Sequence, residues 1–385
     1  MENSNVSLSG RMEANKSMII GIDARPLSYP QLTGIGVYLN SLLQAIQELD
    51  QENQYYLISN GAIHFEVVNP RWKKLEGRLP QRKIGTLWMQ VFVPRLASTL
   101  KLDLFWGPRH QLPLFMPKEI KTVLTVHDIV HLLFPRTMSL PNLVAERLLM
   151  QRSIRRADYV MADSQSTASG IQEHYQVRPT KIGVVYPGGP TVSEQMHSPV
   201  SDDEKLPGKY FLFVGTLEPR KNLRAILGAF ALLDTEREDV NLVVVGNIGW
   251  KNKDVMSLLK AHRYRSRIHF TGYVDAARLS FIYRNALCLL YPSLYEGFGF
   301  PILEAMTYGV PVITSNISSM PEVAGDAAML VNPNDINELA NAMNMILSNG
   351  NLRDLMVFKG YKRLKEFSWM RCAEEVLDIF KKVSS

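Results

Sequence analysis

Twice along this chain, short apolar runs alternate with longer stretches of helical periodicity, and a polar, proline-containing stretch separates the two series. The first series places strands at Met18–Asp23, Tyr55–Ser59, Lys121–Val126, Asp158–Ala162 and Lys181–Tyr186. The second places them at Tyr210–Val214, Asn241–Val245, Arg267–Phe270, Leu287–Tyr291 and Val310–Thr314. Such runs fit strands of a parallel sheet buried on both faces by helices. At 385 residues the chain also exceeds the size at which one core stops growing. The expectation is an α/β protein of two layered domains. Its parts are a polar tail over 1–17, a first domain over 18–190, a linker over 191–207, a second domain over 208–365, and a terminal helix over 366–385 that crosses back onto the first domain. In open parallel sheets, ligands bind beyond the carboxyl ends of the strands, so residues that follow strands are the candidates for function.

Composition removes several classes of function. The two cysteines, Cys288 and Cys372, each lie in an apolar or helical stretch and suggest neither a disulfide framework nor a zinc cluster. Residues 1–17 lack the apolar core of a secretory signal, and no apolar run approaches the roughly 20 residues that span a bilayer. A cytoplasmic protein is expected. Of the net charge of +6, residues 1–200 carry +5, from 21 Lys and Arg against 16 Asp and Glu. Much of that excess lies in Arg71–Lys101, where Arg71, Lys73, Lys74, Arg78, Arg82, Lys83, Arg95 and Lys101 face only Glu76. A solvated basic face and a peripheral contact with anionic lipid at the inner face of the plasma membrane are both open readings of it. Nucleic acid is disfavoured, because no helix-turn-helix, zinc or RNA-binding signature accompanies the charge.

The most informative segment is Tyr291-Pro-Ser-Leu-Tyr-Glu-Gly-Phe-Gly-Phe-Pro-Ile-Leu-Glu304. A strand ends, Glu296 enters a glycine-rich turn, and a helix begins near Gly299. Glu304 then falls in the second helical turn, so both carboxylates can border one groove without touching. Gly297 and Gly299 permit close backbone approach, and the free amides around Phe298 and Phe300 can bind ligand oxygens. Hydroxyls of a sugar and a ribose suit such acceptors and donors. A pair of carboxylates also fits a glycoside hydrolase. Cations at the end of another strand favour a phosphorylated ligand instead: Gly215-Thr-Leu-Glu-Pro-Arg-Lys-Asn222 sets Arg220 and Lys221 at a helix start. Positive side chains are unfavourable there unless an anion joins them.

Two further segments lie in the first half. Thr33-Gly-Ile-Gly-Val-Tyr38 opens a helix, and Gly34 and Gly36 suit either a simple helix start or close approach to a phosphate. A dinucleotide fingerprint would need glycine at Leu39, so a nicotinamide cofactor is disfavoured. His127-Asp-Ile-Val-His131 follows a strand, and His127 is placed to bond a sugar hydroxyl. Metal binding by His127 and His131 lacks the zincin glutamate and a nameable third ligand. No Asp-x-Asp follows a strand, so the usual carboxylate clamp for a metal-bound nucleotide sugar is missing. Arg220 and Lys221 can supply that charge, and neither a metal nor a cofactor is expected.

In this order and spacing, the Glu296–Glu304 pair, the Gly215 to Asn222 segment, the Gly34/Gly36 loop and His127 resemble the family-four retaining glycosyltransferases. That resemblance spans nearly the whole chain after Met18. It implies the GT-B fold, two Rossmann-like domains facing a central cleft. It implies a nucleotide-sugar donor as co-substrate, with Arg220 and Lys221 on the diphosphate, Glu304 on the ribose, and Glu296 with the Gly297–Phe300 backbone on the transferred sugar. It further implies that His127 contacts the sugar, that Gly36 approaches the phosphates, and that Tyr273 and Val274 line the base pocket. The wording around His127-Asp128 and Glu218 to Asn222 is similar to bacterial mannosyltransferases that build surface polysaccharide from GDP-mannose on a glycan or lipid-linked acceptor. A sugar-nucleotide epimerase of the same architecture and a non-catalytic sugar-nucleotide-binding protein are the rival readings.

Overall fold

The computed structural model describes residues 17–385 apart from 30, 33, 78–80, 136–139, 191–205, 234–239, 248 and 250–252. The expected tail, most of the expected linker, Thr33 and Arg78 therefore lie outside the described residues, as do the side chains of Arg82 and Lys83.

Two parallel sheets form. The first contains β1 (Ile19–Asp23), β2 (Gln54–Ser59), β3 (Trp72–Glu76), β4 (Leu104–Gly107), β5 (Lys121–Val126), β6 (Tyr159–Ala162) and β7 (Ile182–Val184), in the order β3-β2-β1-β4-β5-β6-β7. The second contains β8 (Tyr210–Val214), β9 (Asn241–Val245), β10 (Ile268–Gly272), β11 (Cys288–Tyr291), β12 (Val312–Ser315) and β13 (Met329–Val331), in the order β10-β9-β8-β11-β12-β13. Every expected strand is present, within a few residues at each end. Three strands were not expected. β3 is a solvated edge, buried at Trp72 with Lys73 and Lys74 exposed, so its polar composition reads as a basic stretch. β4 is only four residues long, and β13 only three.

The helices of the first domain are α1 (Gly34–Leu49), α2 (Gln81–Leu100), α3 (Val130–Leu133), α4 (Leu140–Arg156) and α5 (Gln165–Tyr175). Those that follow are α6 (Leu223–Leu232), α7 (Lys253–Lys260), α8 (Ala276–Arg284), α9 (Phe300–Thr307), α10 (Met320–Ala324), α11 (Ile336–Ser348), α12 (Gly350–Leu364) and α13 (Trp369–Ser384). They cover both faces of each sheet, and each sheet has a core on either side. The chain crosses between domains twice. Tyr186 to Gly189 leave β7 beside Phe367 and Trp369, where the Gly189 amide donates to the Phe367 carbonyl. From there α13 packs on α1, and its Cys372, Ala373, Val376 and Phe380 join the core of the first domain. Trp106 of β4 meets Phe380 edge-on with ring centroids 5.7 Å apart. The terminal helix is thus a structural part of the domain its sequence does not adjoin.

Both sheets reverse winding direction once, the first between β1 and β4 and the second between β8 and β11. At such a reversal, adjacent strands send their loops to opposite faces and leave a crevice at their carboxyl ends. The loops after β8 and β11 carry Arg220, Lys221 and Glu296. Fold topology, not sequence proximity, brings those residues together.

Candidate functional site

Glu296 sits at the centre of the second-domain crevice, 6% exposed. Its Oε2 accepts from Arg220 Nη1 at 2.6 Å, and its Oε1 pairs with Lys221 Nζ at 2.6 Å. Burial pushes this carboxyl up, but Lys221 and Arg220 outweigh burial and hold it at about 2. Arg220 donates through Nε to Glu218 at 3.0 Å and through Nη1 to the Tyr295 carbonyl at 3.2 Å. Burial opposes its charge, and Glu296 with Glu218 overcomes that and raises its pKa. Lys221 also donates to the Tyr291 hydroxyl at 2.8 Å. There burial wins over Glu296, and the ammonium pKa falls below its usual value.

The backbone around these groups is equally fixed. Arg220 and Lys221 lie in a short 3-10 turn, Pro219–Lys221, one step before α6 rather than in its first turn. Asn222 takes a left-handed conformation and donates to the Pro292 and Pro333 carbonyls at 3.0 and 2.7 Å, tying that turn to the loops after β11 and β13. Gly215, at φ +148°, starts the loop beside the Lys221 stem, and few side chains tolerate that geometry. Ser318 and Ser319 donate to the Glu296 carbonyl at 2.7 and 3.0 Å.

Glu304 stands one helix further on, its Oε2 receiving the Tyr283 hydroxyl at 2.7 Å. Burial raises its pKa more than Tyr283 and Lys221 lower it. The two glutamates therefore differ in character: Glu296 is locked as an anion between two cations, while Glu304 is a carboxyl facing one neutral hydroxyl. Gly299 precedes α9, and the buried Phe298 ring packs into the core against Phe300 and Phe367, so Phe298 can offer a ligand only backbone. Tyr273 follows the edge strand β10 with 58% exposure, beside Val274, which packs on the core.

From the first domain, His127 reaches the same place. Its Nδ1 bonds Asp163 Oδ2 at 2.6 Å and its Nε2 bonds the Pro108 carbonyl at 2.9 Å. An ionised Asp163 and the Pro108 carbonyl both accept, so this geometry favours the charged ring, which donates from both nitrogens. Burial works against that charge, and Asp163 and the Pro108 carbonyl override it and raise the pKa above 6.5. Nε2 is thus engaged by backbone in this state and does not point unpaired into the cleft. Asp128 accepts from the Val130 amide at 3.0 Å and shapes the local turn, and His131 is buried against the Tyr175 hydroxyl at 2.7 Å. Gly36 is buried: a Cβ there would come 3.0 Å from the Pro26 carbonyl and 3.2 Å from Leu32, which gives this glycine a packing reason. Gly34, by contrast, has open space around it.

The pairing of His127 has a pH consequence. A folded-state pKa above 6.5 means the pair stabilises fully below pH 6.5 and loses that contribution as pH rises through the folded value. Thermal unfolding followed from pH 6 to 9 should show this decline. Asp163→Asn should flatten it and cost about 1.5–3 kcal/mol at the acid end.

The two domains meet at the site itself. A Cβ on Gly297 would fall well inside contact distance of the His127 carbonyl oxygen and 2.9 Å from Asp128 Cβ. The Ile129 amide donates to the Tyr295 hydroxyl at 3.1 Å, and Thr167 Oγ1 donates to the Gly297 carbonyl at 3.2 Å. Sequence reasoning missed Asp163, Tyr283, Tyr291, Glu218 and Thr167. Asp163 follows β6 directly, and the strand-end rule that found His127 would have found it.

The chain is similar to known proteins along both halves. A model described as Glycosyltransferase Family 4 matches residues 32–191, and one described as Glycosyl transferases group 1 matches residues 198–363. "O-antigen chain mannosyltransferase B" of Escherichia coli is 39% identical over 173 residues, 45% of each chain. "Serotype-specific mannosyltransferase WbdA" of Escherichia coli is 29% identical over 271 residues, 68% of this chain and 33% of that one. The chain therefore spans about half or less of the length of these curated relatives. Among solved structures, sucrose-phosphate synthase from Thermosynechococcus elongatus superposes with a TM-score of 0.74 at 18% identity, covering 95% of this chain and 98% of that one. With one glycosyltransferase module on each of its two facing parallel sheets, the chain belongs to the family-four glycosyltransferases of the GT-B fold.

Proposed function

We propose that this chain is a metal-independent, retaining hexosyltransferase that moves mannose from GDP-mannose to a glycan or lipid-linked acceptor in polysaccharide synthesis. The observation that carries the reading is the Arg220–Glu296–Lys221 triad, in which two half-buried cations are held in place by a buried carboxylate. In this reading the donor diphosphate lies against Arg220 and Lys221, the ribose hydroxyls meet Glu304, and the sugar hydroxyls meet Glu296 and the Gly297–Phe300 backbone. Gly34 and Gly36 stand nearest the phosphates from the first domain, and Tyr273 with Val274 borders the base. Glu296 and Glu218 hold the two cations in position, and in this reading the diphosphate competes with those carboxylates for hydrogen bonds from Arg220 and Lys221. As the glycosidic bond breaks, charge grows on the leaving diphosphate, and preset cations stabilise it without reorganising. The acceptor hydroxyl oxygen bonds the anomeric carbon from the same face that the diphosphate leaves, and its proton passes to a diphosphate oxygen, so the anomeric configuration is retained without a protein nucleophile. The mannosyltransferase relatives favour mannose as the sugar.

The same proposal places the acceptor near a membrane surface. No helix among the described residues is long and apolar enough to cross one. However, α2 exposes Leu87, Val91 and Phe92 with Arg95 beside them, and Arg71, Lys73, Lys74 and Lys101 are exposed nearby in sequence. Apolar and cationic side chains together suit the interface of an anionic bilayer.

A thermal-shift panel of GDP-, UDP-, ADP- and dTDP-sugars tests the donor, because binding raises the unfolding temperature with affinity. GDP-mannose should give the largest shift, and sugar should leave it only when an acceptor glycan is present. Release of an isomerised sugar without acceptor would instead identify an epimerase, and binding without turnover a non-catalytic protein.

A further inference from the structure

One carboxylate outside the triad joins the two domains. Glu322 lies on α10 of the second domain, and its side chain reaches the first turn of α5 in the first domain. Its Oε2 accepts from the Gln165 amide at 2.8 Å and its Oε1 from the Ser166 amide at 3.0 Å. The Tyr186 hydroxyl, at the crossover between domains, adds a third bond to Oε2 at 3.1 Å. From behind, Arg363 of α12 donates to the Glu322 and Val323 carbonyls and fixes α10. Free amides at a helix start carry partial positive charge and favour an anion, so both geometry and charge are satisfied across the interface.

The turn it holds is also the turn that organises the site. Asp163 immediately precedes it and bonds His127, and Ser164 caps α5 by accepting from the Thr167 amide at 3.0 Å. Thr167 bonds the Gly297 carbonyl, and His127 lies against Gly297. Five successive residues thus link His127, the helix start, Glu322 and the donor loop.

We propose that Glu322 is a positioning residue: by capping α5 from the opposite domain it holds the closed arrangement in which His127 and the Gly297 loop meet. It touches neither donor nor acceptor. The role rests on reading the cleft as the transfer site, but closure itself can be measured without any substrate. Opening removes a charged acceptor from two amides and a hydroxyl, and a ligand that needs the closed state binds more weakly in proportion to the closed fraction lost.

The test uses the whole chain with Glu322→Ala and Glu322→Gln, the latter isosteric, uncharged and with one accepting oxygen. In ligand-free protein, small-angle scattering should show a larger radius of gyration for Glu322→Ala, with Glu322→Gln between it and the parent. The unfolding temperature should change little, because each domain keeps its own core. The KM for the donor should rise about tenfold in Glu322→Ala, with kcat changed less than about threefold, the size expected for charge-assisted bonds at a helix start. An unchanged scattering curve overturns the proposal. So does a loss of kcat and thermal stability together without opening, which is what a merely structural side chain would give. If the parent binds no nucleotide sugar, the functional reading fails, and the scattering result still decides the role of Glu322 in closure.

Discussion

Arg220→Ala is expected to lower transfer activity by about 10²–10³ while leaving free nucleoside binding nearly intact, because it removes one preset cation from the developing charge of the diphosphate. The same change should destabilise the fold by about 3 kcal/mol, the lower end of what a broken buried ion pair costs, since Lys221 still faces Glu296. These two effects can be separated. Adding Glu296→Gln to Arg220→Ala removes the carboxylate left short of a partner but also takes the counterion of Lys221, so stability should recover only in part while activity stays low. Acid unfolding gives a further check. The carboxyl held at about 2 stabilises fully above its ordinary 4.5, and that contribution is lost as pH falls through the folded value. Glu296→Gln should therefore make the protein less sensitive to acid below pH 4.5, measured by unfolding temperature. Equal loss of nucleoside and diphosphate ligands in Arg220→Ala would remove Arg220 from the phosphate site.

The triad also marks how far sequence reaches in this protein. Arg220, Lys221 and Glu296 were each legible as strand-end residues, because parallel strands such as Asn241–Val245 announce themselves by unbroken apolar runs and their following residues face the crevice. That the cations grip Glu296 was not legible. The contact spans more than 70 residues, and only the reversal of strand order between β8 and β11 brings the loops together. For the same reason the sequence left Arg220 and Lys221 as cations waiting at a helix start, whereas the structure holds them in a separate turn and already paired. His127 and Asp163 both follow strands, but their pairing exists only once β5 and β6 lie side by side. Solvated edge strands escape for a different reason: β3 buries Trp72 and exposes its lysines, so its pattern is that of a surface. Gly36 shows the converse, a glycine read as open to a phosphate that also has a packing partner in the Pro26 carbonyl.

Gly297→Ala should abolish most transfer while leaving a folded protein that still binds nucleotide diphosphate. The methyl group would meet the His127 carbonyl group, with its carbon 2.8 Å away, and Asp128 Cβ at 2.9 Å. The carbonyl is backbone, tied to a ring bonded on both sides, so it cannot swing aside as the end of a flexible side chain would. Relief requires the loop after β11 and the loop after β5 to move apart, and that is the closing interface of the two domains. Separation by even about 1 Å costs on the order of 10² in rate when catalysis depends on positioning. Tyr295 and Phe298 beside Gly297 join the margins of the cores, whose other members are carried by the strands and helices, so unfolding temperature should fall by only a few degrees. Arg220, Lys221 and Glu304 stay where they are, so a nucleotide diphosphate should bind within a few-fold of the parent by calorimetry. Retention of near-parental activity by Gly297→Ala would mean that the closed contact is not the state in which transfer occurs, and His127 would then have to act from a more open cleft.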